Sequence, residues 1–185
     1  MSHWNSFVRI PALAIRHRIR PLPRIGTFEE DVLRMRVGLQ DIDFNLHLNN
    51  ARYLSFMDYG RVHLMAASGI LTPVLREKWT PLVGSVSITY RRSLALFQTF
   101  TLSTRVLCWD EKWFYMEQIF YGSKGLATHA WVKMLFRGPS GNLPPQIIAD
   151  RISPGAVSPP LSARLKEWNA AIRDTLHEKE PAHAR

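Results

Sequence analysis

The chain has 185 residues, 46% of them hydrophobic, enough for one well-filled core with short extensions and too few for two full domains. No run approaches the roughly 18 apolar residues that a spanning helix needs, and the lone Cys108 excludes an internal disulfide framework and a multi-cysteine metal site. The formal charge of +9 invites a nucleic-acid partner, but five arginines and no acid fall within residues 1–26, so the rest is only mildly basic and nucleic acid is not expected.

Residues 1–28 read as a basic arm carrying Arg9, Arg16, Arg18, Arg20 and Arg24. Arg9 interrupts the one apolar stretch that resembles a signal peptide. With reduced-compartment cysteine usage, this points to a cytoplasmic protein. The arm has two readings: peripheral contact with an anionic membrane surface, or packing on its own domain or a partner subunit. Next, Val32, Leu33, Met35, Val37 and Leu39 predict a first strand. A helix follows, with Asn49 or Asn50 as N-cap; Tyr53, Phe56, Met57, Gly60, Leu64 and Ala67 share one face, and Gly69 ends it. Alternation then predicts strands around Val86–Tyr90 and Phe100–Val106. Two more, Trp113–Tyr121 and Leu126–Phe136, are joined by a hairpin at Gly122–Gly125. Cys108, on this pattern, is a buried structural thiol. Residues 139–160 are proline-rich and read as an extended surface connection. A last helix is predicted over Ser162–Leu176, its stripe of Leu161, Leu165, Trp168 and Ile172 packing on the domain or a partner. The expected fold class is α+β, an antiparallel sheet wrapped around one long central helix, over residues 29–138.

Between the first strand and the helix lies the run Asp43-Phe-Asn45-Leu-His47-Leu-Asn49-Asn50-Ala-Arg-Tyr53. It masses a carboxylate, an imidazole and three carboxamides where a helix start leaves backbone N–H groups unpaired. The run and the order of elements resemble the hotdog-fold acyl thioesterases of the 4-hydroxybenzoyl-CoA thioesterase-like group, nearest to thioesterase superfamily member 6-like proteins. The segment Tyr90-Arg91-Arg92-Ser93 is similar to that family's substrate-flanking strand. Leu46 stands where many relatives place glycine. The resemblance implies a homodimer or a dimer of dimers, with active sites at the shared interface and an acyl-CoA or acyl-carrier protein substrate.

Thioester hydrolysis needs a carboxylate or an activated water to attack the carbonyl and donors to hold the oxyanion; neither metal nor redox cofactor is required, and none is expected. Asp43 is the candidate catalytic carboxylate, against the alternative of an Asx-type loop cap. His47 and Asn45 are candidates to orient the water or the carbonyl, while Asp58, farther along the helix, is a reserve carboxylate. Asn49, Asn50, Tyr53, Tyr90, Arg91 and Arg92 are the substrate-binding candidates. Asn49 or Asn50 also caps the helix, and Tyr53 also packs in the core. Adjacent arginines on a strand point to opposite faces, so at most one of Arg91 and Arg92 is expected to reach any one ligand. Phe56, Met57, Phe114 and Met116 are candidates to set the acyl-chain length. Two other classes compete with hydrolysis: acyl-CoA binding without turnover, and membrane or nucleic-acid association through the arm.

Overall fold

The computed structural model describes residues 22–179, with side chains to 175; most of the basic arm lies outside that range. Where the arm is described, it packs on its own domain. Arg24 Nη1 donates to the Ser68 carbonyl at 3.1 Å, Ile25 N–H donates to the Ala67 carbonyl at 3.3 Å, and Phe28 stacks on Trp109 at 5.3 Å.

Five strands form one antiparallel sheet in the order β1 (Asp31–Arg36), β3 (Thr99–Trp109), β4 (Phe114–Gly122), β5 (Gly125–Gly138), β2 (Thr80–Tyr90), and a short β6 (Gly141–Leu143) pairs with β5. The central helix α1 (Asn50–Ala67) crosses its concave face. Of the two N-cap candidates, Asn49 takes the position, its side chain accepting the Ala51 N–H at 2.9 Å. The α+β hotdog architecture read from the sequence is therefore the one observed. No helix among the described residues is long and apolar enough to cross a membrane.

Alternation decides which side chains meet α1. Phe100 and Leu102 of β3 and Met116, Gln118 and Phe120 of β4 point inward and are buried. Phe56 meets Phe100 edge-on at 5.2 Å, and Tyr53 meets Phe120 at 5.0 Å. Gly60 makes this approach possible: a Cβ there would lie 2.8 Å from Thr104 Oγ1 and 2.9 Å from Leu102 Cδ2. Gly60→Ala is accordingly expected to lose about 1–3 kcal/mol by overpacking. Urea unfolding would show it as a lower midpoint at unchanged slope; an unchanged midpoint would refute the close packing.

One polar network lies inside this contact. Gln118, fully buried, donates to the Met57 carbonyl and to Thr104 Oγ1, each at 3.0 Å, and accepts from Arg61 Nη1 at 2.7 Å. Arg61 also pairs with Asp58. Burial lowers the Arg61 pKa, and the Asp58 charge pulls the other way.

Three expectations need correction. The first strand ends at Arg36, and Leu39 lies instead in a 3-10 turn with 66% exposure, because Gly38 opens a turn closed by Asp41 N–H to the Gly38 carbonyl at 3.0 Å. A short helix α2 (Leu71–Arg76), missed in the sequence, follows α1 and buries Leu71 and Val74. The proline-rich stretch is not simply an extended connection: it contains β6 and the helix α3 (Pro145–Ile152), with Pro145 at a first-turn position and Ile148 and Ala149 buried. A proline suits a helix start because its missing N–H would be unpaired there anyway.

The last helix, α4 (Ala163–Lys179), lies on the convex face. Leu161, Leu165 and Trp168 pack against Cys108, Tyr115 and Trp131, so the predicted stripe does face the domain. Burial and the charge of Asp110 push the Cys108 thiol up to about 11, which keeps it protonated and agrees with a structural role.

Candidate active site

The polar run folds into a tight turn between the 3-10 segment and α1. Asp43 N–H donates to the His47 carbonyl and Leu46 N–H to the Asp43 carbonyl, both at 3.0 Å. Leu46 completes the turn at a φ of 58°, the left-handed region that favours glycine. The residue that departs from the family pattern thus occupies a backbone position suited to the family's glycine. The turn is pinned to the connection between β2 and β3: Leu48 N–H donates to the Leu94 carbonyl at 2.8 Å and Leu96 N–H to the Leu46 carbonyl at 3.1 Å.

Asp43 is half-buried. Its Oδ1 accepts the Asn45 N–H at 2.9 Å, the Asx-turn bond, and its Oδ2 has no hydrogen-bond partner among the described residues. One oxygen thus fixes the carboxylate while the other stays available. The His47 imidazole is half-buried and the Asn45 carboxamide exposed; neither makes a side-chain hydrogen bond among the described residues.

A second carboxylate, overlooked in the sequence, holds the turn in place. Asp41 is fully buried. Its Oδ1 accepts from Arg52 Nε at 3.1 Å and Nη2 at 2.8 Å, and its Oδ2 accepts the Gly38 N–H at 3.1 Å. The Asp41 carbonyl accepts the Asn49 N–H at 2.9 Å, so this one residue ties the turn, the N-cap and the first turn of α1 together. The available signal was an Asp eleven residues before an Arg on the helix.

At the helix start, the Asn49 side chain takes the Ala51 N–H and its carbonyl takes the Arg52 N–H at 2.8 Å. The Asn50 N–H is left without a partner among the described residues, which makes it the candidate oxyanion donor. The Asn50 carbonyl accepts the Tyr90 hydroxyl at 3.1 Å, and Tyr90 meets the buried ring of Tyr53 edge-on at 5.1 Å. Asn49, Asn50, Tyr53 and Tyr90 therefore form one frame around the helix start.

Beside the turn opens a cavity of about 530 Å³, bordered by His47, Arg91, Arg92, Gln98 and Lys124. Both arginines border it, contrary to the opposite-face expectation. They lie just past the end of β2, where the N–H groups of both donate to the Ala127 carbonyl, at 2.8 and 3.0 Å, so strand alternation no longer separates them. Arg92 Nη1 donates to the Leu126 carbonyl at 2.8 Å, and no ion pair engages Arg91, Arg92 or Lys124 among the described residues. The chain-length candidates are core residues: Phe56 packs on Phe100, Met57 is fully buried, and Phe114 and Met116 line a narrow apolar space between α1, the sheet and α3. Asp58 is half-exposed and engaged by Arg61. Among the described residues, no group of three or more His, Cys, Asp or Glu is arranged to hold a metal ion.

A curled antiparallel sheet around one helix, with a polar turn at the helix start, is the architecture of hotdog thioester hydrolases. The model of the thioesterase-like superfamily matches residues 37–146, and the chain belongs to that superfamily. Protein THEM6 of Xenopus laevis is 32% identical over 162 residues, covering 88% of this chain and 77% of that protein. Protein THEM6 of Danio rerio is 47% identical over 91 residues, which span 49% of this chain and 45% of that protein's length. These relatives bear out the resemblance to thioesterase superfamily member 6-like proteins. Among solved structures, a 1,4-dihydroxy-2-naphthoyl-CoA thioesterase from Synechocystis shares the fold with a TM-score of 0.59 at 12% identity, over 67% of this chain and 96% of that one.

Proposed function

We propose that the chain hydrolyses acyl-CoA thioesters to a free acid and coenzyme A. The observation that carries this reading is Asp43, held by one oxygen in a hydrogen-bonded turn with the other free, the same turn bringing His47 to a cavity bordered by three cations that no carboxylate neutralises. Asp43 activates a water or attacks the thioester carbonyl itself; His47 and Asn45 orient the water, and the Asn50 N–H holds the oxyanion. Arg91, Arg92 and Lys124 meet the phosphates of coenzyme A, for which guanidinium forks are suited. The named activity of the Synechocystis thioesterase supports a CoA ester over a carrier-protein ester.

The functional unit is a homodimer formed along β2. That strand is 11 residues long, pairs on one side with β5 only, and leaves Val83 and Tyr90 exposed. A bare edge of that length is a template for a second strand, and a second copy satisfies it.

The double variant Arg91→Ala/Arg92→Ala is expected to raise KM for an acyl-CoA by roughly tenfold or more, the loss of one to two charge-assisted hydrogen bonds. Turnover of the matching acyl-pantetheine, which lacks the nucleotide phosphates, is expected to be unaffected. Equal losses on both substrates would remove the phosphate-binding assignment.

A further inference from the structure

A second cationic cavity, of about 680 Å³, opens on the convex face between α4 and the sheet. Lys133 of β5, Lys112 and Trp113 of the β3–β4 turn, Ser85 of β2, and Asn169 and Arg173 of α4 border it. Trp113 reaches this place because β2 bulges at Gly84, where a Cβ would come within 2.5 Å of the indole ring.

Lys133 is the unusual member. The residue is 7% exposed, yet its ammonium is hydrogen-bonded to a neutral group, the Asn169 carboxamide oxygen. It lies 4.8 Å from the centre of the Trp113 ring and 5.9 Å from that of Tyr115, and the Lys112 ammonium lies 5.2 Å from the same Trp113 ring. Arg173, from the helix side, has no ion pair among the described residues. Asp110 and Glu111 are the acids nearby. Asp110 is committed to the turn: Oδ1 accepts the N–H groups of Lys112 and Trp113 at 2.8 and 2.7 Å, and Oδ2 accepts the Tyr115 hydroxyl at 2.7 Å. It acts on Lys133 through space alone. Glu111 is exposed.

A buried ammonium without a contacting carboxylate is costly, and an anion in the adjoining cavity removes that cost. We infer that this cavity binds a small phosphate monoester, its phosphate held by Lys112, Lys133 and Arg173. A phosphate carries close to two negative charges near neutrality and three acceptor oxygens, and so suits a cavity bordered by three cations better than a carboxylate does. The volume falls in the range of small-molecule sites, well beyond a bare ion. The site is separate from the acyl-CoA cavity: nine-residue β4 lies between the Trp113 turn and the Gly122–Gly125 turn, so the two are on the order of 25 Å apart. One wall is α4, which lies beyond the 37–146 superfamily match.

Calorimetric titration of the full chain with phenyl phosphate, inorganic phosphate and benzoate tests this. Saturable binding of phenyl phosphate is expected, with weaker binding of inorganic phosphate and none of benzoate. Measured in the Arg91→Ala/Arg92→Ala background, which removes the phosphate-binding arginines of the acyl-CoA cavity, saturable phenyl phosphate binding is expected to persist, and Lys112→Ala and Arg173→Ala, both at exposed positions, are each expected to weaken it about tenfold. Absence of saturation, equal affinity for benzoate, undiminished affinity in the Lys112 and Arg173 variants, or loss of binding in the Arg91/Arg92 variant would each overturn the assignment.

Discussion

Asp41→Ala is expected to cost about 3–5 kcal/mol of stability, the range for breaking a buried ion pair from one side. The substitution removes a fully buried carboxylate and leaves Arg52, whose side chain is 11% exposed, with a desolvated charge and no carboxylate beside it. It also releases the Gly38 N–H, which loses its acceptor. These losses fall on one short segment, so the turn that carries Asp43 loosens together with the helix start. With urea slopes of about 1–3 kcal/mol per molar, the unfolding midpoint should fall by one molar or more at unchanged slope. A loss under about 1 kcal/mol would mean that Arg52 finds another partner and that Asp41 does not hold the turn.

Asp43→Asn is expected to have the opposite profile. Asparagine keeps the side-chain oxygen that accepts the Asn45 N–H, so the Asx turn and the fold persist, with stability changed by less than about 1 kcal/mol. The amide can neither take a proton from water nor attack a thioester, and hydrolysis should fall by roughly 10²–10⁴-fold. Two carboxylates two residues apart thus separate cleanly, Asp41 by its effect on unfolding and Asp43 by its effect on turnover. Measuring both quantities on both variants checks the division; a stable Asp43→Asn protein with wild-type turnover would remove Asp43 from the chemistry.

What could be read from the sequence follows from the range of each interaction. The N-cap at Asn49, the helical stripe from Tyr53 to Leu64 and the strand alternation in β3 and β4 depend on residues a few positions apart, and the structure reproduces them. Helix α3 was missed because eight residues beginning with proline carry too short a pattern to stand out from a proline-rich stretch. The placement of Arg91 and Arg92 depended on both N–H groups turning to one carbonyl across the β2–β5 ladder, which strand periodicity does not encode. Within the site, Asp43, Asn45 and His47 stood out because they are polar and fall within five consecutive residues. Asp41 did not, because its partner is on the helix and its burial comes from tertiary packing. Lys133 escaped for the same reason: its surroundings are assembled from α4, β2 and the β3–β4 turn.

Release of free thiol from a panel of short, medium, long and aromatic acyl-CoA substrates by the purified full chain is the most direct test of the central claim. Turnover of at least one member by the wild-type chain, lost in the folded Asp43→Asn variant, is the expected result. Saturable acyl-CoA binding with no thiol release from any member would contradict it and make the chain a binding protein on a hydrolase fold.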